Sequence, residues 1–184
     1  MKYLKYAAIV VVVLLIVLYA GIKVIVNFGM PMYKGDVTVK SDRLGEEVSL
    51  VFDRYAVPHI VGETEEDVYF ALGYAHAQER LFQMQMFRLF SQGRLTEMTG
   101  DSKSDPSATG FASTLAQDRF YRTVGFKMMG EKGIEALDER TMTLLESYCA
   151  GVNSYMENAE RLPPEFLIID NPEEWKPSDS LALG

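Results

Sequence analysis

The sequence predicts a mainly α-helical chain with one small β hairpin, preceded by a transmembrane helix. Three observations carry this reading. An uncharged aliphatic run fills residues 6–22. A short alternating stretch, broken by a turn and a proline, lies between Val48 and Val61. Beyond it apolar residues recur at helical spacing, in a chain whose 48% hydrophobic and 24% charged residues exclude wholesale disorder.

The uncharged run is near the lower limit for crossing about 30 Å of hydrocarbon as a helix. Lys23 follows it and can snorkel outward, and Val24-Ile-Val26 resumes the apolar character. Residues 6–27 are therefore expected to form a transmembrane anchor or uncleaved signal, with residues 1–5 as a cytoplasmic tail. Lys2 and Lys5 place that tail inside by the positive-inside rule. A cleaved signal peptide is the competing reading. Ala20-Gly21 comes nearest to a small-x-small site, but Tyr19 and the renewed apolar run fit it poorly. Both readings put the body on the extracytoplasmic side.

Residues 28–46, with Gly29, Pro31, Gly35 and Gly45, read as a linker. Val48–Phe52 and Val57–Val61 form the hairpin, with Asp53-Arg-Tyr55 as its turn and Pro58 suited to a sheet edge. Thr64 followed by Asp67 resembles a capping box. The helix it opens is expected to reach Gln92, where Gly93 stops it. This helix is apolar on two sides and is expected to be largely buried, with Gly73, Ala75 and Ala77 permitting close approach. Residues 100–111 read as a loop, and helices are expected over 113–122 and 127–136. A longer helix follows, N-capped by Asp138, with Met142, Leu145, Cys149 and Val152 on one face. Phe166–Ile169 reads as a short extended piece, and a last helix starts at Ser180.

Chemistry is scarce. The net charge of −8 and the lack of a basic stripe argue against nucleic-acid binding. Cys149 is the one cysteine, so no intrachain disulfide forms, and its apolar neighbours mark a buried, inert thiol. No zinc motif, phosphate loop or nucleophile elbow is present. His59 and His76 read as hydrogen-bonded structural histidines. Gln78, Glu79, Arg80, Gln83 and Gln85 interrupt the apolar helix, and a buried scaffold network is preferred to an active site there.

Tyr55-Ala-Val-Pro-His-Ile60, Tyr69–Met84 with its core Gly73–Met84, Gln92-Gly-Arg-Leu-Thr-Glu97 and Trp175-Lys-Pro-Ser-Asp179 together resemble the penicillin amidase family. The resemblance covers residues 47–184. It implies the N-terminal part of an αββα N-terminal-nucleophile hydrolase, made as a precursor that cuts itself into two chains. The second (β) chain would supply a Ser nucleophile acting with its own α-amino group, which titrates near neutrality. The implied substrates are small-molecule amides: penicillins, cephalosporins or acyl-homoserine lactones. Calcium is the metal implied for the complete enzyme. No catalytic, cofactor-binding or metal-binding residue is carried over to this chain. Gly184 reads either as a processing site or, preferably, as a break within a helix. The alternative from another class is a membrane-tethered helical interaction domain without catalysis.

Overall fold

The computed structural model describes residues 2–26, 39, 41–159 and 161–182, with side chains of the first helix described at Tyr6 and over 9–24. That helix, α1, spans Lys2–Val26, so the expected tail is helical from residue 2. The expected transmembrane span over 6–27 is not borne out: among the described residues no helix is long and apolar enough to cross a membrane. Ile9 through Leu18 are all exposed. Residues 27–38 and 40 of the expected linker lie outside the described residues.

β1 (Ser49–Phe52) and β2 (Pro58–Val61) form an antiparallel pair with Leu50 opposite Ile60 and Val51 opposite His59. Asp53 shapes the turn, its Oδ1 accepting the Tyr55 and Val57 N–H groups at 2.8 and 3.0 Å. Helix α2 (Glu65–Ser91) opens as expected, with the Thr64 hydroxyl accepting from Asp67 N at 3.1 Å. The buried Asp67 carboxylate goes further than a capping box. It takes the Thr64 O–H at 2.6 Å and Gly45 N–H at 2.8 Å, which ties the segment before the hairpin to the helix start. These donors, the Thr64 hydroxyl foremost, hold the Asp67 carboxyl below its ordinary range.

Gly93 stops α2 as predicted, with φ of +62° and Arg94 N donating to Leu89 O at 2.7 Å. α3 (Leu95–Thr99) follows, its first free N–H groups received by buried Asp118 at 2.9 and 2.8 Å. The region expected as a loop over 100–111 also holds a Lys103–Ser113 bridge and one short helix, α4 (Pro106–Thr109), capped by Asp105. α5 (Thr114–Val124) and α6 (Phe126–Ile134) meet at Gly125, and α7 (Glu139–Asn158) carries the expected Asp138 cap. Phe166–Ile169 is not extended. Pro164 presets the first φ of a 3₁₀ turn, Pro164–Leu167, that carries Phe166 into the core. α8 (Pro177–Leu181) starts three residues before the expected Ser180.

The core forms where α2 crosses α7. Ala77 and Leu81 meet Cys149, Val152 and Tyr155, closed by Phe166 and Trp175. Two glycines set the separation: a Cβ on Gly73 would run into the Tyr148 carbonyl, and one on Gly151 into the Phe70 carbonyl. The obstacle in each case is backbone, which cannot swing aside like a flexible side chain. Gly151→Ala is therefore expected to destabilise the full-length protein by about 3 kcal/mol, the upper range for overpacking. A urea midpoint equal to wild type would show that the helices do not cross this closely.

Candidate functional site

Helix α2 presents different chemistry on its two sides. One side enters the core and, in its last turns, a buried polar cluster. The other lines an open groove of about 630 Å³.

The polar cluster is built around Arg88, which is 2% exposed. Its Nη1 donates to the carbonyls of Glu173 and Glu174 at 3.0 and 3.1 Å and lies 3.5 Å from Asp179 Oδ2. Its Nη2 donates to Gln85, and the guanidinium stacks over the Trp175 ring at 5.2 Å. Gln92 Nε2 donates to the other Asp179 oxygen at 2.8 Å. Asp179 Oδ2 also takes the Lys176 N–H at 3.0 Å, so one carboxylate pairs the cation and caps α8. From α7, Asn153 holds Trp175 on both backbone groups: Oδ1 accepts its N–H at 2.7 Å and Nδ2 donates to its carbonyl at 3.0 Å. Burial lowers the Arg88 guanidinium pKa, and the charges of Asp179 and Glu173 oppose that shift. The Trp175–Asp179 run is thus clamped by both long helices.

The groove has α2 as one wall, with Tyr69, Leu72, Met84 and Phe87, and α7 as the other, with Leu145 and Tyr148. Trp175 and Leu181 also line it. Its polar groups are few. His76 Nδ1 sits 3.1 Å from the Tyr148 hydroxyl, and the rings meet edge to face. Desolvation by the groove walls, and then the Arg80 charge, hold the His76 imidazole below its usual range. Burial pushes the Tyr148 phenol up to about 12.

The residues singled out in the sequence divide between these places. Gln78 and Gln85 are buried, but Glu79, Arg80 and Gln83 are exposed. The buried cation among the described residues is Arg88, which the sequence reading passed over. His59 is exposed, with Nε2 3.6 Å from Asp53 Oδ2, and it does not approach His76. Cys149 is buried, and loss of solvent, reinforced by the Asp179 charge, pushes its thiol up to about 12. Among the described residues no group of His, Cys, Asp and Glu could hold a metal ion.

The sequence profile described as Penicillin amidase matches residues 47–184. The chain is 32% identical over 155 residues to the Penicillin acylase 2 proenzyme of Pseudomonas sp. (strain SE83), a match over 84% of this chain and 18% of that one. It is 38% identical over 142 residues to the acyl-homoserine lactone acylase QuiP of Pseudomonas aeruginosa, 76% of this chain and 16% of that one. The structure is similar, with a TM-score of 0.62 and 27% identity, to a thermostable penicillin G acylase from Alcaligenes faecalis, covering 74% of this chain and 69% of that chain. The chain spans less than a fifth of the length of these curated relatives.

Two outcomes follow from the cluster. Breaking a buried pair by removing one partner costs about 3–5 kcal/mol, whereas replacing both with apolar groups is often neutral. In the full-length protein Arg88→Met is expected to lose stability in that range, and Arg88→Met with Asp179→Leu to recover part of it. Single and double variants that unfold alike would refute the coupling. The folded Cys149 thiol, raised above the unfolded value of about 8.5, contributes stability that is complete below pH about 8.5 and is lost as pH rises toward about 12. Cys149→Ala should flatten that alkaline decline in urea midpoints. Rapid alkylation of the folded thiol at pH 8 would contradict its burial.

Proposed function

The chain belongs to the penicillin amidase family, and from that premise we propose that it is the N-terminal part of an exported acylase precursor. The complete protein hydrolyses amide bonds of acylated small molecules of the penicillin, cephalosporin or acyl-homoserine lactone type. The observation that carries this is the family match over residues 47–184 together with relatives whose names are acylases of both kinds.

In this reading the present chain is scaffold and the rest of the precursor holds the reacting groups. The state of the titratable side chains supports that division. Cys149 is buried with its thiol held protonated, the His76 Nδ1 faces a tyrosine hydroxyl, and Arg88 is consumed by carbonyls and Asp179. A second chain released by cleavage supplies a Ser whose own α-amino group accepts the proton, since that group titrates near 7.7–8.0. Cleavage is supported by the two coverage figures: a chain that spans 16% to 18% of the curated relatives spans 69% of the solved acylase chain. The uncharged aliphatic run that follows Lys2 and Lys5 supports export of the body from the cytoplasm.

The test uses the full-length gene product. Mass spectrometry is expected to find two chains, the second beginning with Ser, and the product should hydrolyse a chromogenic anilide of an apolar acid. Ser→Ala at that new N-terminus should abolish both cutting and hydrolysis. A product that stays whole and cleaves no amide would leave the tethered interaction domain as the better reading.

A further inference from the structure

The outer face of the α5–α6 corner carries exposed apolar side chains among cations. Asp118 on α5 is buried and receives the first N–H groups of α3. Beside it Arg122 Nε donates to Gly93 O at 2.7 Å, so this side of α5 faces inward. Two residues turn a helix by about 200°. Phe120 therefore stands on the opposite side, 50% exposed, with Val124 one turn further on. α6 repeats the arrangement. Gly130 lies against the Ser178 carbonyl and Gly133 against Leu181, while Met128, two residues before Gly130, is 51% exposed. Met129 beside it is also exposed. The Met128 methyl comes within 3.4 Å of where a Cβ on Gly125 would stand, so it folds back over the corner. The rings of Phe111, Phe120, Tyr121 and Phe126, in contact in that order, back this face.

The charge around these side chains is mostly of one sign. Residues 119–130 hold Arg119, Arg122 and Lys127 and no acid, in a chain whose net charge is −8; Glu131 and Lys132 follow. Arg119 and Lys127 are exposed and have no ion pair among the described residues. Apolar side chains left open within a polar rim mark an interaction surface. We infer that the outer face of α5 and α6 rests on a membrane surface containing anionic phospholipid. Phe120, Val124 and Met128 enter the headgroup boundary, and Arg119 and Lys127 meet the phosphates. Both chemistries of the face select this occupant. A soluble phosphate polymer would meet the cations but leave the apolar side chains in water. A second copy seated symmetrically would set Arg119 and Lys127 against cations of their own kind. An apolar protein surface would bury those cations without a counter-charge. A lipid surface offers hydrocarbon and phosphate together. Contact of this kind is independent of any acylase chemistry.

The thioethers of Met128 and Met129 report on the contact directly. The full-length protein is treated with dilute hydrogen peroxide, and sulfoxide at each methionine is followed by peptide mass spectrometry. Without vesicles both are expected to oxidise quickly. Vesicles of phosphatidylglycerol mixed with phosphatidylcholine should slow both about tenfold, and vesicles of phosphatidylcholine alone should not. The readout sits on α6, and the neutral vesicles control for attachment through α1. Each cation near an anionic surface is worth about fivefold in binding. Arg119→Gln with Lys127→Gln should therefore lose the protection while keeping the wild-type urea midpoint. Slow oxidation without vesicles would show the face to be covered within the protein or by a second copy, and would overturn the inference. Equal protection by both kinds of vesicle, protection that survives in the double variant, or none at all would do the same. Oxidation is read without reference to activity, so a protein that cleaves no amide would sink the acylase reading and leave this result standing.

Discussion

The structure depends on how closely α2 and α7 approach. Gly73 lies against the Tyr148 carbonyl and Gly151 against the Phe70 carbonyl, so each helix presses a glycine onto the other's backbone. Interior packing is dense enough that one added methyl on either glycine would have to push the axes apart. That spacing brings Ala77 and Leu81 onto Cys149, Val152 and Tyr155. It also brings together the walls of the groove, where Met84, Leu145 and Tyr148 line the opening while packing against the same core. Core and groove are therefore two consequences of one crossing.

The second constraint is a charge taken out of water. A buried guanidinium is tolerated only when its donors are met and a counter-charge is near. Arg88 meets most of this requirement: Nη1 and Nη2 reach two main-chain carbonyls, Gln85 and Asp179, while Nε finds no partner among the described residues, and Asn153 fixes the neighbouring Trp175 from the other helix. The chain from 173 to 179 has no strand or long helix of its own. Its conformation is written by side chains from α2 and α7. The Trp175–Asp179 landmark is thus explained by mechanics, without any role in bond-breaking: Trp175 fills the core and Asp179 satisfies the cation and caps α8. Arginine suits this position because its planar fork can address carbonyls and carboxylate at once, which an ammonium on a flexible stem does less well.

Local chemistry was legible in the sequence where a residue acts on its own neighbours. Thr64, Gly93, Gly125 and Asp138 are caps and stops because their side chains, or lack of them, serve backbone groups within a few positions. Gly73 was legible as a close-approach point because small residues in a long apolar helix have few other uses. What escaped depends on distant partners. Phe166 looked extended until the core claimed it from a 3₁₀ turn. Arg88 was missed because its partners lie at residues 173–179, while the more conspicuous Arg80 drew attention to the groove side of the helix, which the described residues leave open. A periodic pattern shows that two faces are apolar. It cannot show which of them its own chain will cover.

That uncovered face bears on the division of labour in the molecule. A helix apolar on two sides belongs between two layers. Here α7 and the clamped 173–179 segment cover part of it, while Tyr69, Leu72 and Phe87 stand in the groove beside them, with Arg80 at the point where the helix breaks. Within the part that is closed, the polar groups are engaged with one another: Arg88 with Asp179, Gln92 with Asp179, Asn153 with Trp175. Groups satisfied in this way are poor nucleophiles and poor bases, because any reaction would first have to break the contacts that hold the fold together. A chain organised like this contributes to chemistry by position. Its crossing and its clamp fix the surface that the two helices present.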